Sequence, residues 1–438
     1  MTVKIPKNSR RSFLTKTGLM LFLLCPLLFS CKSPPEFSDQ LENGWCEFTM
    51  SRGNTAEGLG MADYNAGYNG FTAAVKPGEK IIVHGKFPHC RYASFTIYDQ
   101  DFMFADKLTD AELAPVSGKN PFLPGVERSG DIGEYEIQIL MEKPPAGKRP
   151  VNTLYAGVTN QGKPNKFMIF AYRAYLADKG YGFRDNHPLA VYGGVEPPKY
   201  KIIDKNGNAC CTGKETMKKG FSRTQLSIMW ANRSKLLNPG KIIGKAESPP
   251  RWGNNASSET QRANTYVPND DTAYIAAPIS NKLGELLVLR WKPAITPEQT
   301  YPGKPFPQDY DMRYWSLSFV YMDRSRVLVA YSEKTLADID VPVLPDGSRQ
   351  VVIGLGGIAR PEAVPKNQWV SLQMKEGLIA MRNILITPGY SGDFFKLPPG
   401  KIAPDYDKYT PGGVYCSAQE FAQNPDIGLE RGKLLKQK

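Results

Sequence analysis

The sequence has few of the residues and spacings that mark common enzymes. It contains three histidines, and neither a His-Glu-x-x-His nor a Cys-x-x-Cys spacing accompanies them, so no standard zinc site is indicated. The Gly-x-Ser-x-Gly turn of serine hydrolases is also missing. Residues 240–246 lack the Ser or Thr of a phosphate loop, and residues 354–357 fall short of a dinucleotide fingerprint. The sequence therefore predicts no metal site, names no cofactor and leaves open whether the protein is an enzyme.

Long apolar runs are also scarce. The run from Leu19 to Phe29 is shorter than the roughly 20 residues that a membrane-spanning helix needs. It follows a basic segment and precedes a small residue, so residues 1–30 are predicted to be a signal peptide. The segment Ser-Arg-Arg-Ser-Phe-Leu at residues 9–14 resembles the twin-arginine export motif, with Arg10 and Arg11 as its pair. An ordinary basic leader is the alternative.

Leu-Phe-Ser-Cys at residues 28–31 resembles a bacterial lipobox, which implies lipidation of Cys31. Residues 31–45 would then form a lipidated tether, stiffened by two prolines. A diacyl anchor is firm because each buried methylene contributes about 0.8 kcal/mol. In a Gram-negative cell, Lys32 in place of aspartate implies sorting to the outer membrane, facing the periplasm or the surface. The expected partner is thus a membrane, bound through a lipid.

What the sequence does have is glycine and proline, 40 and 36 of its 438 residues, within an ordinary 41% apolar composition. That balance is typical of a globular protein with many short strands joined by turns. The chain also repeats itself. Residues 78–86 resemble 284–292, residues 91–96 resemble 313–318, and residues 170–176 resemble 379–385. Three blocks in the same order predict a duplication, with a first β unit at 46–200 and a second at 263–420.

Each repeated block is predicted to be a strand with two different faces. In the block that begins at Arg91, alternation places Ala93 and Phe95 on one face and Tyr92 and Ser94 on the other. One face is apolar, and the other carries hydroxyl groups and an aromatic ring. Antiparallel sheets with one buried face have this pattern. We therefore expect a mostly β fold with two duplicated β-sandwich or jelly-roll-like units.

Residues 201–262 connect the units and are strongly basic. They contain 12 Lys or Arg and four Asp or Glu residues, a net charge of +8, and a helix is predicted near Ser222 to Leu237. The whole chain carries +12 and the signal peptide +5, so the rest is nearly neutral, and residues 421–438 form a basic tail. The high charge therefore does not indicate nucleic acid. Instead, this partly helical connector could lie against anionic lipid or glycan.

Residues 266–274 and 313–317 carry a family resemblance. Their sequences, Tyr-Val-Pro-Asn-Asp-Asp-Thr-Ala-Tyr and Arg-Tyr-Trp-Ser-Leu, are similar to those of a family of uncharacterised secreted bacterial proteins. That family has a Pro-Asn-x-Asp-Thr-x-Tyr segment ahead of an Arg-Tyr-x-Ser-Leu strand. Residues 91–99 are similar to a second form of the strand motif. The resemblance implies a β-rich fold with jelly-roll-like units, and it carries no activity.

Arg91 and Arg313 are the main candidates for chemistry. Each begins the apolar face of its strand, where an unpaired guanidinium would be costly. We predict pairs with Asp63 and Asp271 of the same copy, and this reading is favoured over ligand binding because the position recurs in both copies. A binding role would place these residues in a groove between or within the units. The predicted groove consists of His89, Arg91, Tyr92, Asp99, Asp271, Tyr274, Arg313 and Tyr314.

The remaining candidates are carboxylates and thiols. Asp99 with Asp101, or Asp270 with Asp271, could act on a glycosidic bond, although adjacent acids are common in loops. Export permits disulfides, and adjacent cysteines seldom bridge each other, so a disulfide is expected to tie the connector to a terminus. Its candidates are Cys46, Cys210, Cys211 and Cys416. The predicted function is a membrane-anchored envelope lipoprotein that acts as a binding or structural module. The alternative is a secreted enzyme acting on a glycan or a small polar substrate.

Overall fold

The computed structural model describes most of the chain after residue 43. The described residues are 44–48, 50–53, 63–128, 132–210, 245–253, 269–297, 304–323 without 306 and 308, 329–396 and 410–428. The predicted signal peptide, the predicted lipidation site Cys31 and most of the connector, with its predicted helix, lie outside them. No helix in the described ranges is long and apolar enough to cross a membrane.

In the part of the chain that the structure describes, the first unit has twelve strands in two sheets. One sheet has the order β1-β11-β4-β8-β7, with β12 added beside β11 and β9 beside β8, and the other has the order β2-β3-β10-β5-β6. The strands are β1 (Cys46–Glu47), β2 (Met50–Gly53), β3 (Ala66–Ala74), β4 (Lys80–Lys86), β5 (Cys90–Tyr98), β6 (Phe104–Thr109), β7 (Pro115–Ser117), β8 (Glu134–Leu140), β9 (Thr153–Tyr155), β10 (Phe167–Ala177), β11 (Lys199–Ile203) and β12 (Ala209–Cys210).

Among its described residues, the second unit has eight strands in two sheets and one short α-helix. Its sheets have the orders β13-β19-β15-β16 and β18-β17-β14-β20. The elements are β13 (Thr272–Ser280), β14 (Leu286–Trp291), β15 (Met312–Asp323), β16 (Val329–Ala337), β17 (Arg349–Leu355), β18 (Trp369–Leu372), β19 (Glu376–Ile386), β20 (Gly412–Cys416) and α1 (Ala418–Gln423).

The two units share one topology. The order β3-β10-β5-β6 corresponds to β13-β19-β15-β16, and β11-β4-β8-β9 corresponds to β20-β14-β17-β18. All pairings in these sets are antiparallel except β8 with β9 and β17 with β18, which are parallel in both copies. The mostly β fold predicted from the sequence is therefore confirmed.

Each unit encloses its own apolar core between its two sheets. Phe71, Phe95 and Phe170 lie in the first core, and Trp315, Leu317 and Phe319 lie in the second. The faces of β5 and β15 that carry hydroxyl groups are buried as well, and all nine residues of β5 are buried. A strand of a simple two-sheet sandwich would expose one face, so this burial shows that a second layer covers β5.

The outer faces of the two units differ. In the second unit, Leu286, Val288 and Val352 form an apolar outer patch that is covered by Phe421 and Ile427. The packed part of this unit therefore runs past residue 420, where the sequence suggested that a basic tail begins. The corresponding β8 of the first unit alternates buried and partly exposed residues, with Glu134, Glu136 and Gln138 outward.

Candidate functional site

The sheets that contain β5 and β15 pack against each other, and this contact buries most of the predicted groove. Tyr92 and Tyr175 of the first unit form an apolar cluster with Tyr314 and Ile384 of the second. Tyr92 and Tyr314 are both 0% exposed. The hydroxyl-rich faces that the sequence suggested as a ligand surface thus form the contact between the units.

Two tyrosines cross this contact to carboxylates of the other unit. The Tyr92 hydroxyl donates to Asp271 Oδ2 at 2.8 Å, and the Tyr314 hydroxyl donates to Asp63 Oδ2 at 2.8 Å. Burial, reinforced by the facing carboxylate, raises the pKa of both phenols well above the ordinary value. Both tyrosines therefore remain protonated donors, and the aspartates that precede β3 and β13 serve as their acceptors.

The arginines also cross between units. Arg91 pairs with Asp338, and both side chains are 1% exposed. Arg313 Nη1 lies 3.5 Å from Asp110 Oδ1 and donates to the Arg91 carbonyl at 3.1 Å. The predicted pairs of Arg91 with Asp63 and Arg313 with Asp271 are wrong. Asp63 and Asp271 already accept from the tyrosines, and the carboxylates that reach the arginines begin the 3₁₀ turns Asp110–Glu112 and Asp338–Asp340 of the opposite unit.

Arg382, in the centre of β19, is a buried residue of the contact that was not predicted from the sequence. Its Nη1 donates to Asp63 Oδ2 at 2.8 Å and to Ser316 Oγ at 3.0 Å. Arg173 occupies the matching position of β10 and contacts Thr96 and the Tyr98 hydroxyl. An arginine in the middle of a strand in both copies was the signal that could have revealed these residues, because the repeat already aligned them.

Asp110 has a carboxyl group within the contact whose pKa is shifted from its ordinary value. It is fully buried, and burial raises its pKa to about 6, against the opposing effects of Arg313 and of the Ala93 N–H, which lies 2.6 Å from Oδ2. Its counterpart Asp338 accepts from Arg91 and Thr296. The contact between the units therefore contains a carboxyl group whose pKa is raised by burial.

The other predicted groove residues do not join one open surface. His89 is 7% exposed and stacks on Tyr181 with ring centroids 3.9 Å apart. Burial, with the nearby Arg128 and His187, lowers the pKa of His89 to about 4. Asp99 accepts backbone N–H groups of Asp101 and Met103 at 2.9 Å, so it stabilises a turn.

Tyr274 and Asp271 lie at the border of the contact. The Arg382 guanidinium lies 5.3 Å from the centroid of the Tyr274 ring. Lys107 pairs with Asp271 and lies 3.6 Å from Asp270, so both predicted catalytic carboxylates face one lysine. The proposed groove of eight residues is wrong as an open site, because most of these side chains are buried in hydrogen bonds and ion pairs.

The predicted disulfide residues have different outcomes. Cys46 is disulfide-bonded. Cys416 is a buried thiol, so its suggested part in the disulfide is wrong. The backbones of Cys46 and Cys210 both pair with β11, opposite Tyr200 and Ile202 respectively. The side chain of Cys210 and all of Cys211 lie outside the described residues.

A cleft of about 540 Å³ opens where the units meet. The first unit contributes two segments to it, and the second contributes the end of β16 and the start of β18. Its lining consists of Tyr64, Asn65, Phe183, Arg184, Lys334, Thr335, Leu336, Asp340, Val351, Asn367, Gln368, Trp369 and Val370. This size falls within the range of about 300–1,000 Å³ that is usual for small-molecule sites.

A second cleft, of about 650 Å³, lies on the outer face of β4, β8 and β11. Its lining is dominated by charged side chains of both signs, including Glu79, Lys80, Glu136 and Lys201. Within the described ranges, no group of three or more His, Cys, Asp or Glu residues has the arrangement of a metal site. The cleft between the units is therefore the candidate functional site.

Comparison with known proteins gives little further information. No protein-family model and no curated protein matches the chain. A crystal structure of an uncharacterised Burkholderia cenocepacia protein is similar at 14% identity, with a TM-score of 0.45 and 75% of each chain covered. The VPA0106 protein of Vibrio parahaemolyticus is similar at 11% identity, with a TM-score of 0.41, 78% of this chain and 90% of that chain covered. Similarities this low support no statement about function.

Proposed function

We propose that the chain is an exported, lipid-anchored protein of the cell envelope whose two β units form a binding module. One observation carries the non-catalytic part of this proposal. The side chains of the recurring Arg-Tyr segments, which were the main candidates for chemistry, are buried in reciprocal contacts between the units, together with the aspartates that precede β3 and β13. Such residues act on the architecture of the protein, and ligand binding falls to the cleft between the units.

The anchor is proposed from the N-terminal sequence. The paired Arg10 and Arg11 support export, and the lipobox-like segment that ends at Cys31 supports lipidation. The partner is then a membrane, with the basic connector available to anionic lipid or glycan. Membership of the secreted bacterial family with the Pro-Asn-x-Asp-Thr-x-Tyr segment is part of the same proposal.

The alternative is a secreted enzyme, and it has less support. His89 is stacked and buried, Asp99 holds a turn, and Asp271 accepts from Tyr92 and Lys107. An enzyme would need a different set of residues, such as those that line the cleft.

Fractionation of cells that express the full chain tests the anchor. We expect the Cys31→Ala variant to move from the membrane to the soluble exported fraction, because no thiol remains there to carry the lipid. Cys25→Ala is the matched control, since it removes the other cysteine of the segment and should leave the protein on the membrane. Continued anchoring of Cys31→Ala would defeat the lipoprotein proposal.

Export is tested by replacing both Arg10 and Arg11 with lysine, which keeps the charge but removes the paired arginines. We expect the precursor to accumulate inside the cell. Lys7→Arg is the control for a change of basic residue outside the pair. Normal export of the double variant would reject the twin-arginine pathway. The lipid anchor would still be tested separately, by the fractionation of the Cys31→Ala variant.

A further inference from the structure

We infer that the cleft between the units binds an acidic saccharide. This inference rests on the proposed binding function and names the ligand class that its site would take. Three features of the cleft support it: an apolar floor with aromatic side chains at its rim, a set of amide groups, and one cation without an acidic partner.

The floor and the rings match the apolar faces of a sugar. Leu336, Val351 and Val370 are buried at the bottom of the cleft. Tyr64 and Trp369 are partly exposed at its rim. The C–H face of a pyranose ring is apolar, and it gains contact area when it packs on an aromatic ring.

The amides match the hydroxyl groups of a sugar. Asn65, Asn367 and Gln368 line the cleft. An amide carries both donors and an acceptor. The oxygens of Asn65 and Gln368 already accept from Arg184 and Gln350, so these two residues offer N–H donors to a ligand. A sugar hydroxyl also donates and accepts, so amides pair with it in either sense. A lining of carboxylates alone would only accept hydrogen bonds from the sugar hydroxyls, and a lining of lysine and arginine alone would only donate to them.

Several of these side chains are held in place before a ligand arrives. Gln350 Nε2 donates to Gln368 Oε1 at 2.9 Å, which fixes the amide and leaves its NH₂ group available. The Trp369 ring packs over Gly354, where an added Cβ would lie 2.2 Å from the ring. Fixed side chains lose little conformational entropy on binding, so a weakly interacting ligand such as a sugar gains affinity.

The charges select an acidic ligand. Arg184 is bound by Asp340 through two hydrogen bonds of 2.5 and 2.6 Å, and it also donates to Asn65 Oδ1 at 2.7 Å. Lys334 has no acidic partner in the part of the chain that the structure describes. The lining thus carries one uncompensated positive charge. One carboxylate, as in a uronic acid, neutralises it, whereas a polyphosphate would need more cations.

Calorimetric titration of the full-length protein in detergent tests the inference. The probes are a trimer of galacturonic acid and the matched neutral trimer of galactose. We expect saturable binding of the acidic trimer, at least about tenfold tighter than that of the neutral one. Lys334→Gln should reduce this preference to within about twofold, while Lys119→Gln, an exposed lysine away from the cleft, should leave it unchanged.

Two further variants test the location. Asn367→Ala changes an exposed side chain and should weaken binding of the acidic trimer by roughly 3- to 10-fold. Trp369→Phe keeps the packing over Gly354 largely intact and should weaken it as well, whereas Trp45→Phe on the opposite unit should not. Binding that is unchanged in both cleft variants, equal affinity for the two trimers, or no saturable binding would overturn the inference.

The same samples separate this inference from the proposed function. Mass spectrometry of the trimer after the titration detects cleavage. Cleavage together with the expected effects of the cleft variants would reject the non-catalytic proposal and support the cleft as the saccharide site. Intact trimer that binds with the expected variant effects supports both.

Discussion

Removing one partner of the buried Arg91–Asp338 pair is expected to destabilise the protein more than replacing both partners. Replacing Arg91 with methionine leaves the Asp338 carboxylate buried without its guanidinium, which typically costs about 3–5 kcal/mol of unfolding free energy. Asp338 keeps the Thr296 hydroxyl and the Ile339 N–H, at 2.9 Å, as donors. We therefore expect a loss near the lower limit, about 3 kcal/mol.

The double variant Arg91→Met with Asp338→Asn should recover much of that loss. Arg91 Nε and Nη2 have no hydrogen-bond partner among the described residues, so the native pair is only partly satisfied. A partly satisfied buried pair is worth little more than a neutral replacement. We expect the double variant to lie within about 1 kcal/mol of the wild type, so the coupling energy is at least about 2 kcal/mol and is larger by whatever the single variant Asp338→Asn costs.

Urea unfolding of the purified protein, followed by tryptophan fluorescence, measures these values. Trp315 and Trp291 report from the core of the second unit. The matched control is Arg184→Met, because Arg184 also pairs with an aspartate of the other unit but is 40% exposed. Exposed pairs contribute about 0.2–1 kcal/mol. If Arg91→Met costs no more than this control, or if the two single costs simply add, burial of the pair is not what stabilises the contact.

Two further predictions concern the same fold. Burial raises the pKa of Asp110 in the folded protein from 3.8 to about 6. The contribution of Asp110 to the free energy of unfolding should therefore be largest below pH 4 and should fall by about 3 kcal/mol as the pH rises to 6 and above. Asp110→Asn should flatten this part of the pH–stability curve, and an unchanged slope would contradict the assignment. Gly67→Ala should destabilise by about 3 kcal/mol, because its Cβ would lie 1.8 Å from the Val191 carbonyl oxygen; Gly147→Ala, with nothing within 4 Å, is the control in thermal unfolding.

The sequence predicted the strands and the duplication because both depend on local alternation and on a direct comparison of the chain with itself. The three repeated blocks aligned β4 with β14, β5 with β15 and β10 with β19. The apolar face and the hydroxyl-rich face of β5 were also predicted correctly from this alternation. These features need no knowledge of how distant segments meet.

The contacts of those faces could not be predicted in the same way. Alternation shows that Tyr92 and Ser94 share a face, but not whether water, a ligand or another sheet covers it. The pairs Arg91–Asp338 and Tyr92–Asp271 join residues 247 and 179 positions apart, and they follow from how two units pack. The cleft is harder still, because Asn65, Arg184 and Trp369 belong to three separate segments with no shared motif.

The reciprocal contacts between the units have the form of a twofold-symmetric homodimer interface within one chain. The tyrosine of each copy reaches the aspartate that precedes β3 or β13 of the other, and the arginine of each copy faces the 3₁₀ turn of the other. A covalent connection makes this association independent of protein concentration. The covalent connection also allows the sequences of the two copies to diverge, because surfaces outside the shared contact need not be identical in the two units. A cleft with Trp369 on one side and Arg184 on the other is an asymmetric site that an identical pair could build only in duplicate.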